Sequence, residues 1–341
     1  MSSFSNDINI RTISYISEYI DKERNNTIKD TNIDISLLSS SSFISKYIGK
    51  VRDIYKCNDF ILLVTTDRQS AFDRQLASVP FKGQVLNLTS LWWFEQTKHI
   101  VPNHIIASPH PNVTIGKVCT IFPIEFVMRG YITGSTSTSM WTNYKNGVRN
   151  YCGHLLPDNL IKNQKLDSIK LTPTTKDDVH DELISADEII SSGRMSKEDW
   201  DTCSKYAHDI FEFSQRKSLE KGLILVDTKY EFGKDNDGNI LLVDEIQTPD
   251  SSRYWIAESY EERFNAGLEP ENIDKEFLRK WYTEHCDPYK DDVLPEAPAD
   301  LVNELSRRYI MIYEIMTGKT FDFSTSGLTM NDAIKEYFNK N

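Results

Sequence analysis

The chain has 341 residues, 39% hydrophobic and 26% charged, so it can bury one large core or two smaller ones. Its formal net charge of -12 disfavours nucleic acid as a partner, because an acidic surface repels a phosphate backbone. The five cysteines include no C-x-x-C pair, which argues against a disulfide framework or zinc ribbon and indicates a reducing compartment. No apolar run approaches ~20 residues and no secretory signal is present, so we predict a soluble, cytoplasmic protein without a membrane partner.

The first 42 residues are the least informative part of the chain. They are rich in Ser, Asn and Ile, and Ile13, Ile16 and Ile20 have helical spacing. A short amphipathic helix and a loosely tied extension are both open on this pattern. We treat residues 1–42 as an N-terminal extension.

The pattern becomes strand-rich after this extension. Residues 60–66 (FILLVTT) are nearly all apolar and predict a buried strand. Residues 85–100 carry apolar side chains at helical spacing, and residues 118–128 have extended character. Residues 142–195 are polar without a clear core pattern, which indicates either a functional segment or disorder.

A well-marked helix and a pair of strands follow. Ser196 and Asp199 predict a capping box at the start of the helix, and Gly222 lies where a helix-ending glycine belongs. Segments 223–232 and 240–247 predict two strands, and the Asn-, Asp- and Gly-rich turn between them predicts a hairpin. Amphipathic helices are predicted at 274–285, 300–317 and 329–339.

Alternating charges mark these two strands as a candidate site. Asp227, Lys229 and Glu231 point to one face, because side chains alternate along a strand. If the numbers of directly paired residues in the hairpin add up to an odd sum, Asp244 lies on that face. If they add up to an even sum, Glu245 lies there instead, and the sequence leaves both registers open. Neighbouring carboxylates repel each other unless a cation lies between them, so the pattern favours Mg²⁺ over a merely salt-bridged, solvated strand face.

Three turns combine a cation with glycine or hydroxyl side chains. Residues 49–53 (GKVRD) can fold over phosphates, although many surface hairpins share this pattern. Strand 124–128 leads into residues 129–135 (RGYITGS), and residues 248–253 (TPDSSR) have the same character. Each turn alone is more simply an exposed tight turn. The last two together place two arginines and several hydroxyls beside the two strands, which indicates a phosphate-monoester site.

Taken in order, these segments resemble the SAICAR synthetase (phosphoribosylaminoimidazole-succinocarboxamide synthase) family. The similarity rests on GKVRDIY (49–55), LLVTTDRQSAFD (62–73), EFVMRGYITGS (125–135), LTPTTK with HDELIS (171–185), LILVDTKYEFG (223–233) and ILLVDEIQTPDSSRYW (240–255). It covers roughly residues 43–290, and the insert 136–153 is similar to that of longer plant-type and some bacterial members.

The resemblance implies a two-lobed α+β fold related to ATP-grasp enzymes, with antiparallel sheets and flanking helices. It implies a nucleotide-binding lobe over 43–125 and, over 126–341, a second lobe with the metal and substrate sites and the C-terminal helices. The implied reaction uses ATP and Mg²⁺ to join carboxyaminoimidazole ribotide (CAIR) to L-aspartate, giving SAICAR, ADP and phosphate. Only small-molecule partners are expected, and the oligomeric state is open.

The resemblance also implies residue roles. Lys229, Asp227 and Asp250 are implied at the catalytic centre, and Glu231 and Asp244 as Mg²⁺ ligands. The implied ATP site comprises Gly49, Lys50, Val51, Arg52, Asp53, Glu125, Val127, Met128, Glu231 and Asp244, with the strand around Glu125 as an interlobe adenine edge. The implied ribotide and aspartate site comprises Asp67, Ser70, Asp73, Arg129, Gly134, Ser135, Thr174, Thr175, Lys176, His180, Asp181, Ser252 and Arg253.

Two other function classes compete with the ligase. A related two-lobed fold could phosphorylate a hydroxyl group on an inositol lipid or a sugar, and such a kinase needs no aspartate. A non-catalytic module would bind ATP without turnover, since a fold alone does not fix function.

Overall fold

The computed structural model describes residues 16–41, 43–72, 74–176, 181–273, 276–324 and 328–340. The strands in chain order are β1 (Phe43–Ile48), β2 (Arg52–Cys57), β3 (Phe60–Thr65), β4 (Arg68–Ala71), β5 (Arg74–Ser78), β6 (Ile105–His110), β7 (Val113–Lys117), β8 (Thr120–Ile121), β9 (Ile124–Tyr131), β10 (Asn150–Tyr151), β11 (His154–Leu155), β12 (Lys165–Leu171), β13 (Thr174–Thr175), β14 (Leu223–Lys234), β15 (Ile240–Val243) and β16 (Ser252–Ile256). The helices are α1 (described over 16–23), α2 (Lys82–Thr97), α3 (Met140–Lys145), α4 (Ala186–Ser191), α5 (Lys197–Leu219), α6 (Ala257–Asn265), α7 (Glu276–His285), α8 (Ala299–Thr317) and α9 (Met330–Lys340), with a 3-10 helix at Ile35–Ser41.

The described residues form two compact units that alternate along the chain. The first contains those of Met1–Trp92, Ile105–Val118 and Asp274–Asn341, and the second Trp93–His104 and Cys119–Ile273. The sequence-based division at residue 125/126 places the C-terminal helices in the second lobe, whereas the structure groups them with the first unit. The predicted boundaries at 42/43 and 125/126 stay a prediction.

An antiparallel five-stranded sheet organises the first unit, in the order β1-β2-β3-β7-β6. Its β3 is the predicted buried strand: Leu62 and Val64 are fully buried and pack with Val113 and Ile115 of β7 and Ile334 of α9. Alternation fails in β3 because both of its faces are covered, which is why its sequence is continuously apolar.

The helices of the first unit pack around a second apolar cluster. Ile16 and Ile20 of α1 join Val85 of α2, Leu278 of α7 and Tyr309 of α8. The amphipathic helix is therefore the correct alternative for this part of the extension, although Ile13 lies outside the described residues. The three predicted C-terminal helices are confirmed as α7, α8 and α9.

A seven-stranded sheet organises the second unit. Its central path is β12-β9-β14-β15, with β13 beside β9 and β8 and β16 beside β14. Helix α5 packs on β14 and β9, where Phe126 stacks on Trp200 at a centroid distance of 5.3 Å. The hydroxyl of Ser196 accepts from the backbone N–H of Asp199, which confirms the N-cap half of the capping box predicted for α5.

Two expectations about this unit need correction. Arg129 does not lie in a turn, because β9 continues to Tyr131 and pairs Arg129 with Asp227 of β14. The polar segment 142–195 contains α3, β10 to β13 and α4, and it contributes Tyr144 and Tyr151 to a small apolar cluster. Hydrophobic periodicity did not predict that cluster, because its residues come from short, irregularly spaced elements.

None of the helices in the described part of the chain is both long enough and apolar enough to cross a membrane.

Candidate functional site

One face of β14 carries the charges that the alternating pattern predicts. Lys229 donates to the neighbouring Glu231, and Asp227 accepts from two arginines. Glu231 is 5% exposed and Asp227 is 8% exposed, so neither belongs to a solvated strand face. Buried charges require partners, and the structure supplies them in two clusters along this face.

The first cluster, the lysine–carboxylate cluster, consists of Glu125, Lys176, Lys229 and Glu231. Lys229 Nζ donates to Glu125 Oε1 at 2.6 Å and to Glu231 Oε1 at 2.8 Å. Lys176 Nζ donates to Glu231 Oε2, so both oxygens of Glu231 accept from lysines. Thr174 adds a hydroxyl, which donates to Glu125 Oε2 at 3.1 Å.

These contacts fix the charge states of the cluster. Burial favours the neutral acid of Glu231, but Lys229 and Lys176 outweigh it and lower the pKa of Glu231 to about 2. Burial favours the neutral amine of Lys229, but Glu231, Glu125 and Asp244 outweigh it and raise the pKa of Lys229 well above its ordinary value. Lys229 and Glu231 are therefore a buried pair that is ionised at neutral pH.

Asp244 reaches this cluster by a route that the sequence did not predict. The hairpin pairs Glu231 with Val243, which is the even-sum register that would replace Asp244 with Glu245. However, β15 ends at Val243, and Asp244 has a φ of +62°, which breaks the strand alternation. Its charge contributes to the raised pKa of Lys229, whereas the Glu245 carboxylate accepts from the Thr248 hydroxyl at 2.8 Å.

The second cluster, the arginine cluster, consists of Arg129, Asp227 and Arg253. Asp227 Oδ2 accepts from Arg253 Nη1 at 2.7 Å and lies 3.5 Å from Arg129 Nη1. Arg129 Nε also donates to the Thr172 hydroxyl at 2.9 Å. Two guanidinium groups share one carboxylate, so the cluster retains a net positive charge that suits a dianionic phosphate.

The glycine-rich turn after β9 lies against the arginine cluster. Gly134 has a φ of +101°, and a Cβ there would lie 2.5 Å from Cβ of Ser139 and 3.6 Å from Nη1 of Arg253. Only glycine fits at position 134, because any other side chain would collide with Ser139 and would strain a backbone with positive φ. Ser135 follows Gly134 and is exposed.

Two other predicted residues of this region lie outside both clusters. The Ser252 hydroxyl is 2.7 Å from that of Thr228, which points to the opposite face of β14 from Asp227. Asp250 lies in the turn before β16, where its backbone N–H donates to the Thr248 hydroxyl. Their roles at the site stay predictions.

The segment that was expected to close over the substrates is held at its start by the sheet. Strand β13 pairs Thr174 with Glu125 of β9, and the Thr175 hydroxyl accepts from the Glu182 N–H at 3.1 Å. Asp181 is exposed, and the predicted residue His180 lies outside the described residues.

The strand expected to form an adenine edge is an inner strand of its sheet. Strand β9 has β14 on one side and β12 and β13 on the other. The Val127 carbonyl accepts from both the N–H and the hydroxyl of Thr172, and Met128 is fully buried. A contact between adenine and this strand stays a prediction, and it would have to use groups other than that carbonyl.

In the first unit, the predicted phosphate loop is a tight turn between β1 and β2. The Gly49 N–H donates to the Arg52 carbonyl at 2.8 Å, and a Cβ at Gly49 would lie 2.6 Å from that oxygen. The Val51 carbonyl accepts from the N–H and the hydroxyl of Thr66 at 2.9 and 2.6 Å. Lys50 is exposed on this turn.

The Asp53 side chain is buried beneath this loop, and the predicted place of the Asp53 backbone in the ATP site stays a prediction. Asp53 is 1% exposed, and its carboxylate accepts from Thr31 and from Arg68, each at 2.6 Å. Burial opposes its ionisation, but the bonds from Thr31 and Arg68, the charge of Arg68 and the bond from Lys46 together outweigh burial and lower the pKa of Asp53. Its contacts fit a residue that holds the loop.

Asp67 is similarly enclosed. Its carboxylate accepts from the backbone N–H groups of Ile28 and Gly83 at 2.7 and 2.8 Å. Burial outweighs these bonds and raises the pKa of Asp67 to about 6. The Ser70 hydroxyl donates to the Arg74 carbonyl, and Asp73 lies outside the described residues.

Sequence reasoning missed three residues that organise these sites. Arg68 lies beside Asp67 in the T-D-R segment, so that segment already contained the signal for it. Thr172 precedes Thr174-Thr175-Lys176. Its hydroxyl can be identified as a partner of Arg129 only when β12 is known to lie beside β9. Thr31 lies 22 residues from its partner Asp53, and no local pattern indicates that contact.

Comparison with protein families gives a match to the SAICAR synthetase model over residues 45–296, which is most of the chain. The chain belongs to the SAICAR synthetase family. The resemblance stated from the sequence motifs is thereby confirmed.

Individual SAICAR synthetases support the assignment. Phosphoribosylaminoimidazole-succinocarboxamide synthase of Legionella pneumophila (strain Lens) is 61% identical over 296 residues, which cover 87% of this chain and 95% of that protein. The chloroplastic synthase of Arabidopsis thaliana is 58% identical over 309 residues, covering 91% of this chain and 74% of that protein. The solved structure of SAICAR-synthase from Saccharomyces cerevisiae complexed with SAICAR has a TM-score of 0.71 at 29% identity and covers 86% of this chain and 99% of its own. The α+β fold class is confirmed by this likeness.

Proposed function

We propose that this chain is an ATP-dependent ligase that joins the carboxylate of CAIR to the amine of L-aspartate, giving SAICAR, ADP and phosphate in purine biosynthesis. The observation that carries the proposal is the single face of β14, where Asp227 of the arginine cluster precedes Lys229 by two residues. That spacing is about 7 Å in a strand. A ribotide carries its phosphate and its ring carboxylate at opposite ends, so one ligand can contact both clusters.

The chemistry asks the protein mainly to position anions and compensate their charge. A carboxylate is a poor electrophile, and phosphorylation by ATP gives it a leaving group that the amine of aspartate can displace. Arg129 and Arg253 bind the ribotide phosphate, and Lys229 lies where it can compensate the charge that develops on the reacting carboxylate. Preorganised cations of this kind are typically the largest contribution to such a reaction.

We assign the ATP phosphates to the turn of the first unit. Its carbonyl oxygens at Gly49 and Val51 accept hydrogen bonds from Arg68 and Thr66. Their negative ends are therefore directed to Arg68 and Thr66, which favours an anion on the outer side of the turn. Lys50 is exposed there and supplies a cation for the phosphates.

Glu231 of the lysine–carboxylate cluster, with Asp244 beside it, fits a divalent cation. In the described part of the chain, no group of three or more His, Cys, Asp or Glu side chains forms a ready-made metal site. Mg²⁺ rarely uses such a site, because one or two carboxylates together with phosphates and waters satisfy it. Glu231, which is ionised, and Asp244 would hold it, and its chemistry would be to neutralise phosphate charge. Lys176 must then leave Glu231 Oε2.

The test is an assay of the full chain with ATP, MgCl₂ and CAIR, with and without L-aspartate. We expect ADP release and SAICAR absorbance to appear together and to require aspartate. ADP release that is independent of aspartate would support the kinase alternative, and ATP binding without turnover would support the binding module. The cytoplasmic location stays a prediction, and localisation of the tagged chain in its own cell tests it.

A further inference from the structure

A short segment that precedes the matched family region lies against the phosphate turn. We call residues 28–31 the N-terminal strap, since the family match begins only at residue 45. Ile28 and Asp67 exchange two hydrogen bonds, with the Ile28 N–H donating to Oδ2 at 2.7 Å and the Asp67 N–H donating to the Ile28 carbonyl at 2.8 Å. The Lys29 carbonyl accepts from Arg68 Nη1 at 2.6 Å.

Thr31 closes the contact between the strap and the base of the turn. Its hydroxyl donates to Asp53 Oδ2 at 2.6 Å, and its carbonyl accepts from Lys46 Nζ at 2.6 Å. Asp53 Oδ1 in turn accepts from Arg68 Nη2 at 2.6 Å. Thr31 is 1% exposed, so its hydroxyl is committed to this buried network.

Arg68 connects the network to the turn itself. Its Nη2 donates to the Gly49 carbonyl at 2.9 Å, and its Nε lies 3.5 Å from the Lys50 carbonyl. One planar guanidinium therefore contacts the strap, the Asp53 carboxylate and two carbonyls of the turn. A rigid fork of this kind transmits a shift of one partner to the others.

The strap is anchored on both sides by parts of the same unit. Tyr19 of α1 stacks on Phe323 at a centroid distance of 4.5 Å. Beyond the strap, the Asp34 N–H donates to Asn331 Oδ1 at 2.9 Å, and Asn331 Nδ2 donates to the Asn32 carbonyl at 3.1 Å. The strap thus has a fixed position from which to act on the turn.

We propose that the N-terminal strap is a positioning element of the nucleotide turn, and that Thr31 acts on Gly49 and Lys50 through Asp53 and Arg68. The proposal rests on the assignment of that turn to the ATP phosphates. Thr31 does not touch the nucleotide. It keeps Arg68 in the orientation that directs the carbonyl oxygens of the turn inward.

The test compares Thr31→Val with Thr31→Ser in the full chain. Valine removes the hydroxyl at nearly equal volume, and we expect the KM for ATP to rise about tenfold while the KM for L-aspartate changes less than about twofold. Serine restores the hydroxyl, and we expect it to return the KM for ATP to within about twofold of wild type. The control is Thr114→Val, which loses a buried 2.8 Å hydrogen bond to Asn87 in the same unit.

A structural role alone gives a different result. If Thr31→Val lowers the Tm as Thr114→Val does and leaves the KM for ATP at the wild-type value, the proposal is overturned. If Thr31→Val does not fold, Arg68→Lys replaces it, because lysine keeps the charge but loses the fork. A wild-type KM for ATP in Arg68→Lys overturns the proposal. A wild-type chain without ATP turnover refutes the proposed function instead, so the two failures are distinguishable.

Discussion

Replacing Asp244 by Asn removes a negative charge from the proposed cation site while the backbone conformation is kept. Asp244 has a φ of +62°, a region in which Asn is among the most tolerated residues, so the substitution keeps the backbone unstrained. It removes one of the three charges that raise the pKa of Lys229, and Glu231 and Glu125 remain. We therefore expect the free energy of unfolding to fall by less than about 1 kcal/mol.

The expected loss of activity is much larger. A contact between an ionised carboxylate and a cation contributes roughly 1.5–3 kcal/mol. At about 1.4 kcal/mol per tenfold, removing the charge of Asp244 should reduce kcat at limiting Mg²⁺ by roughly 10- to 150-fold. Excess Mg²⁺ should recover part of this loss, because the variant still retains Glu231.

The matched control is Glu245→Gln. Its carboxylate accepts from the Thr248 hydroxyl, and a glutamine carbonyl can accept the same bond. We expect wild-type kcat and Mg²⁺ dependence, measured by coupled ADP release over a MgCl₂ titration. If Glu245→Gln loses turnover while Asp244→Asn retains it, the side chains have been assigned the wrong way round and the cation-site argument fails.

Three further predictions concern the arginine cluster, the turn and a buried acid. Arg129→Ala should raise the KM for CAIR by roughly 10- to 150-fold with a smaller effect on the KM for ATP, because a charge-assisted phosphate contact is lost; equal effects on both would contradict its assignment. Gly49→Ala places a Cβ 2.6 Å from the Arg52 carbonyl oxygen, so the turn must shift and the KM for ATP should rise; an unchanged KM would show that the turn is not used. Burial raises the pKa of Asp67 from 3.8 to about 6, so this acid stabilises the fold below about pH 4, and that contribution is lost as the pH rises through about 6. Relative to wild type, the free energy of unfolding of Asp67→Asn should therefore increase by about 2.5 kcal/mol between about pH 4 and about pH 7, and a flat difference in urea melts would refute the raised pKa.

How far the sequence predicts the site depends on the range of the contacts involved. The alternation of Asp227, Lys229 and Glu231 is a local property of an extended chain, and the structure confirms that these residues share one face. Alternation could not place Asp244, because its position follows from a left-handed backbone conformation that its residue type only weakly signals. The predicted turn at Arg129 was wrong because β14 pairs with Arg129 and β12 pairs with Tyr131, so β9 continues through Gly130, a residue type that weakens strands.

Local sequence patterns could not predict contacts between distant parts of the chain. The roles of Asp53 and Asp67 depend on Thr31 and Ile28, which come from a Ser- and Asn-rich extension without a distinctive motif. Motif resemblance identified the family and placed these two acids near the ligands, but it did not indicate that their carboxylates are enclosed by backbone and side-chain donors. A motif indicates that a residue type is needed at a position. It does not indicate whether the side chain contacts a ligand or holds neighbouring residues in place.

The alternation of the two units along the chain has a consequence for synthesis. The Ser306 hydroxyl donates to the Pro80 carbonyl at 2.7 Å across 226 residues, and Tyr309 packs in the same cluster as Val85. The first unit therefore cannot complete its interior until α8 has been translated, whereas every residue of the second unit has been made by Ile273. Domains that emerge first usually fold first, and here that order is reversed. Limited proteolysis of nascent chains arrested once Ile273 has left the ribosomal tunnel, but before α8 has, should find the β14 sheet protected and the β3 sheet still cleavable.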